Sequence, residues 1–218
     1  SRQPALYSSA TRPAIFLEGT GLMPAGSAAS QLRVLLNMDP PEHREHRHLA
    51  SPWFKPRTIR RMEERVVDVC RELLDALAKG GEESECDFVA AVAAPAPLRM
   101  IAEMLGVPEA DEPVLLRLTN ELFGASDPEF QRSGSDAQQT FMAMAAEIFG
   151  YFASLFEERR REPREDLLSV MAHQGRIRGE PVSAIDAVSF CFVIATAGHE
   201  TTRNAITGGL LALIENPG

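Results

Sequence analysis

Near the C-terminal end of the chain, Ala197-Gly198-His199-Glu200-Thr201-Thr202 sets an acid beside an alcohol inside an otherwise apolar stretch. A carboxyl group next to a hydroxyl is a short route for moving protons into an apolar pocket. The Thr201 hydroxyl can return to the Ala197 carbonyl, four residues earlier, and bend a helix there. Ala197 and Gly198 have almost no side chain, so a flat ligand can approach the backbone closely. Glu200 has a second reading: Arg203 and Asn204 at i+3 and i+4 would make it an ordinary helix-surface pair. His199-Glu200-Thr201-Thr202 lacks the second histidine that an HExxH zinc helix needs.

His43 and Arg47, four apart, share a helix face, and both can donate hydrogen bonds to carboxylates. With Arg44 and His48 nearby, they suit a dianionic ligand; a solvated basic face is the competing explanation. His43, His46 and His48 include no i, i+4 pair and have no cysteine or second histidine cluster to complete a zinc set. From Arg44 to Arg61 the chain carries Arg44, Arg47, Lys55, Arg57, Arg60 and Arg61 against one acid, Glu45. On a chain of net charge −9 this is a local basic patch that would steer an acidic partner, or a solvated face with none.

Helices must position these groups, because apolar residues recur at i, i+3, i+4 and i+7 and few segments alternate. The polar patch falls within an apolar run that reads as a helix of about 30 residues, roughly 45 Å long. Its expected start is set by Ser183 as N-cap, with Asp186 three residues on. Being apolar on most faces, this helix is expected to be buried. A helix opening at Pro40-Pro41 carries His43 and Arg47 and stops near Pro52. Another runs from Arg57 to Lys79, with Ile59, Met62, Val66, Val69, Leu73, Leu74 and Leu77 as its buried stripe and Gly80-Gly81 as its stop. Further helices are expected over Asp87–Leu105 (indented by Pro95 and Pro97), Glu112–Phe123, Asp136–Arg160 and Arg164–Met171, with a turn at Gly175–Gly179. Residues 1–38 are the least regular, with one short helical stretch around Gln31–Asn37.

A chain of 218 residues with 44% hydrophobic and 24% charged residues is globular. Its acidic balance argues against general nucleic-acid binding. The longest apolar run, Ala187 to Ala197, falls short of the roughly 20 residues that span a bilayer, and no signal peptide is evident. Cys70, Cys86 and Cys191 form neither a disulfide framework nor a CxxC site and read as small buried hydrophobes, fitting a reducing cytoplasmic setting.

Taken together, these segments resemble the cytochrome P-450 family. Ala197 to Thr202 resembles the family's oxygen-groove motif, and Met38-Asp39-Pro40-Pro41-Glu42-His43 with Arg47 resembles its bacterial MDPPEH segment. Ala94 to Pro108 is similar to the PLPLRVIAELLGVP helix, and Arg164 to Ser169 to the stretch ahead of the oxygen-groove helix. The resemblance implies a mainly α, partial cytochrome P-450 fold with little or no β, one partial domain over residues 1–218. It implies heme, iron protoporphyrin IX, as cofactor. His43 and Arg47 match positions binding its propionates; Ala197 and Gly198 match the stretch over its distal face, where O2 binds. Glu200 and Thr201 match the acid–alcohol pair that delivers protons, and His199 falls at a variable position with no role.

The family's thiolate loop and the E-x-x-R pair before it are not in this sequence, nor is the N-terminal sheet segment. The expectation is therefore an internal fragment, truncated at both ends and inactive alone, of a monooxygenase placing one atom of O2 in an apolar substrate. The segment Asn120 to Glu129 resembles members that oxidise sterol side chains or long alkyl chains. The basic patch would receive a ferredoxin-type redox partner. The alternative is a non-catalytic helical remnant or binding module of the same fold.

Overall fold

A computed structural model describes residues 8–9, 32–79, 85–124 and 127–217. The turn at Gln31–Asn37 is a short 3-10 helix, Leu35–Asn37, and Gln31 lies outside the described residues. Helix α1 follows (Glu42–Ala50), entered through Pro40-Pro41, and then α2 (Pro56–Ala78), with proline in its first turn. A π-helical turn, Val89–Ala93, leads into α3 (Pro95–Leu105). Next come α4 (Glu112–Phe123) and α5 (Ala137–Arg161), the latter opened by a capping box between Asp136 and Gln139. Helix α6 (Leu167–Gln174) is capped by Asp166, and α7 (Ala184–Glu215) by the Ser183 side chain, which accepts the Asp186 amide. The turn between α6 and α7 is a two-residue antiparallel pair, β1 (Arg176–Ile177) with β2 (Glu180–Pro181), in which Arg178 and Gly179 take positive φ.

The core gathers where α7 lies on α3 and α5, with α4 and α6 closing the sides. Leu105, Leu118, Phe152, Leu168 and Val188 are all essentially inaccessible there. The seam is pinned by Arg159 of α5. This buried side chain donates to Asp166, to Glu158 and to the Gly106 carbonyl. Gly106 ends α3 at φ +78, and an added Cβ would sit only 2.2 Å from the Asp166 carboxylate. The glycine of the 94–108 segment thus answers to both a left-handed cap and a close approach.

Three expectations need correcting. The α2 stripe is buried only at Val69 and Leu73; Ile59, Val66 and Leu74 are 43%, 43% and 54% exposed. Apolar periodicity identifies a face, and here only part of that face meets α3. Helix α7 is buried over its first half and open over its second, where Leu211, Leu213 and Ile214 are exposed. Of the cysteines, Cys191 is buried, Cys70 is half-buried and Cys86 is exposed. No helix among the described residues is long and apolar enough to cross a membrane.

Candidate active site

The polar patch lies where α7 passes from buried to open, and its residues point different ways. Ala197 and Thr201 share the exposed face, as positions four apart must. The Thr201 hydroxyl donates to the Ala197 carbonyl at 2.6 Å, so the expected back-bond is present. His199, two positions from each, faces the opposite side and is fully buried. Its Nδ1 lies 3.2 Å from the Thr119 hydroxyl of α4. Burial first, and then the Arg203 charge, lowers the His199 pKa, while the Ala94 carbonyl and Glu200 oppose that shift. This ring is a structural tie between α7 and α4, at a position for which no role was expected.

Gly198 packs against α3. A Cβ there would come within 2.9 Å of the Ile101 side chain, so its smallness lets α7 settle on α3. Ala197, exposed and small, is the residue that leaves the open face accessible.

Glu200 sits on the shoulder between the two faces. It accepts from Arg203 and, at 3.2 Å, from Asn204, the pair anticipated from the spacing. Arg203 also reaches Asn120 of α4 at 3.4 Å. Glu200 and Arg203 form one wall of a cleft of about 460 Å³, whose other walls are Asn120, Phe123, Gly124, Asp127 and Phe130. The Phe130 ring occupies the space a side chain at Gly124 would need, 2.2 Å from an added Cβ. The loop carrying Asp127 and Phe130 is held by Arg132, which donates to Glu121 and Glu147 at 2.7 Å each. These bonds keep the Glu147 carboxyl below its usual range, Arg117 contributing first and Arg132 after the opposing cost of burial. So the acid has an open apolar face on one side and a polar cleft on the other.

His43 is half-buried and Arg47 exposed on α1, and neither is ion-paired among the described residues. Arg44, Lys55, Arg57 and Arg60 are likewise exposed and unpaired there, while Arg61 meets Glu165 at 3.2 Å. Helix α1 reaches α7 through His46, whose Nε2 lies 3.2 Å from Asp186. Asp186 is roughly three turns before Ala197, about 16 Å along the axis at 1.5 Å per residue. The three histidines of α1 therefore diverge: His46 inward, His43 on the shoulder, His48 outward. The Cys191 thiol is pushed well up by burial and by the Asp166 charge, so it stays protonated and offers no thiolate.

The site is thus a long central helix with a hydroxyl bonded into its backbone, an acid beside that hydroxyl and a small residue, Ala197, on its open face, in a mainly α-helical fold. The chain belongs to the cytochrome P450 family, whose model matches residues 23–218. It is 31% identical to cytochrome P450-terp of a Pseudomonas species, over 99% of this chain and 52% of that protein. It is 36% identical to a steroid C26-monooxygenase of Mycolicibacterium smegmatis, over 86% of this chain and 42% of the relative. Among solved structures, cytochrome P450 CYP268A2 of Mycobacterium marinum, in complex with pseudoionone, superposes with a TM-score of 0.79 at 31% identity. That match covers 89% of this chain and 46% of the other. The chain spans about half the length of the curated relatives it matches.

Sequence reasoning missed the cleft. Its walls come from positions far apart in the chain, and only the side-chain chemistry of Glu200 and Arg203 gave any sign of it.

Proposed function

We propose that this chain forms the oxygen-groove portion of a heme-dependent monooxygenase that inserts one oxygen atom from O2 into an apolar organic substrate. The observation that carries the reading is the open face of α7, where the Thr201 hydroxyl is bonded to the Ala197 carbonyl beside Glu200. Heme, when bound, supplies the O2 activation that no side chain here can perform. The residues fit such a group: Ala197 leaves a flat molecule room to approach, and His43 and Arg47, without ion pairs among the described residues, are donors suited to propionates.

The roles of the chain's own residues follow from their positions. Thr201 commits its proton to the Ala197 carbonyl, which leaves its oxygen lone pairs on the open face to hold a water. Glu200, reached by solvent through the cleft, takes up protons there and returns them around the helix to Thr201. Arg203 and Asn204 fix its carboxylate meanwhile. Gly198 seats the helix, and the exposed cations of α1 and α2 receive an acidic ferredoxin-type partner.

The match to a steroid C26-monooxygenase supports an apolar substrate such as a sterol side chain, with long alkyl chains as the second class. The test is made in the full-length protein. Thr201→Ala should keep electron consumption while product per electron falls. An unchanged yield would remove Thr201 from proton delivery, and a protein that takes up no heme would overturn the reading as a whole.

A further inference from the structure

The two helices that carry the proposed cofactor contacts are joined by a polar clamp that neither the motifs nor the family match assigns. Asp186, in the first turn of α7, is buried and lies 3.2 Å from Nε2 of His46, itself 2% exposed. The other ring nitrogen, Nδ1, faces the Glu42 carbonyl at 3.1 Å. Arg33 closes the arrangement from outside. Its guanidinium donates to Asp186 at 3.0 Å and to the Glu42 carboxylate, and its backbone amide donates to Ser189 Oγ at 2.9 Å.

Burying this many polar groups is not the cheapest way to join two helices, because apolar residues of like volume serve as well or better. Hydrogen bonds do what apolar packing does not: they fix direction. On α1, His46 lies about 60° from His43 and about 100° from Arg47 around the axis, at 100° per residue. A grip on His46 therefore sets the roll of α1 and the direction in which His43 and Arg47 point. The same grip holds the start of the helix on which Ala197 and Thr201 lie.

We infer that Arg33, His46 and Asp186 are positioning residues that hold the α1 donors in register with the open face of α7, and so set how firmly heme is retained. The inference rests on the proposed heme site, and the experiment separates the two. The rate of heme loss to excess apoglobin is measured in the full-length holoprotein for wild type, His46→Leu, His46→Gln and Leu49→Ala. The melting temperature of each apoprotein is measured alongside. Leu49, on the same buried face of α1, is the control for lost packing alone.

His46→Leu should speed heme loss by about tenfold or more, the usual effect of removing a group that orients a ligand-binding side chain. His46→Gln, which keeps a donor, should restore most of the retention. Leu49→Ala should lower the melting temperature at least as far while heme loss stays within about twofold of wild type, being a cavity change without loss of direction. Heme loss that simply follows melting temperature across the set, or is unchanged in His46→Leu, would overturn the clamp. A wild-type protein that takes up no heme would instead remove the monooxygenase reading, and the inference with it.

Discussion

Two arginine–carboxylate pairs flank the α-helical core, and they differ in almost every respect. Arg159 and Asp166 are both nearly inaccessible, and every donor group of the arginine is spent on Asp166, Glu158 or the Gly106 carbonyl. Asp166 also caps α6 by accepting the Ser169 amide at 2.7 Å. Arg203 and Glu200 are part-exposed, line a cleft and stand next to a hydroxyl on an open helix face. The first pair is saturated and joins α3, α5 and α6. The second keeps access to solvent and to the open face of α7, which suits the proton-transfer role proposed for Glu200. An arginine–carboxylate spacing in a sequence does not separate these cases; burial and the remaining partners do.

The two pairs should respond differently to substitution. Asp166→Ala should be the most damaging change, since it strands a buried guanidinium and uncaps α6. A loss of about 3–5 kcal/mol is expected, read from the denaturant midpoint of the apoprotein. If Asp166→Ala unfolds like wild type, the pair is not the structural pin described. Glu200→Gln should leave that midpoint within about 1 kcal/mol, as part-exposed pairs contribute little. Under the proposed function, the same change in the full-length protein should slow product formation by about 10²-fold, the lower range for a lost proton donor.

A smaller effect is expected at His199, whose pKa is lowered in the folded state by burial and by Arg203. The unfolded chain binds the proton more readily, so stability is fully present above the ordinary value of 6.5 and declines as pH falls below it toward the folded pKa. His199→Leu should flatten this part of the pH–stability curve. An unchanged slope would move its cause elsewhere. Least of all should Thr201→Ala affect stability, by no more than about 0.5 kcal/mol, because it removes an exposed hydroxyl that only back-bonds its own helix.

Much of the frame was legible in the sequence because its signals are local. Ser183 caps α7, α3 ends at Leu105, and the Thr201 back-bond and the Glu200–Arg203–Asn204 cluster follow from helical spacing alone; Asp166, expected inside its helix, instead caps it. Legibility failed where a residue's meaning depends on a distant segment. Ile59, Val66 and Leu74 lie on a true apolar face, but periodicity does not say what covers it. The packing of Gly198 on Ile101 likewise joins two segments that no local signal connects. The cleft joins Asn120–Phe130 to Glu200 and Arg203, and the His46–Asp186 contact joins α1 to α7; neither separation leaves a periodic trace.

The claim on which the account depends is that heme lies against the open face of α7 at Ala197. The direct measurement is the ferrous–CO absorbance of the full-length protein carrying Ala197→Phe, compared with wild type and with Thr202→Phe, another exposed position of α7. A ring at Ala197 should abolish the CO complex while the apoprotein melts as wild type, and the ring at Thr202 should leave the complex in place. An Ala197→Phe protein that binds heme and CO like wild type would contradict the account.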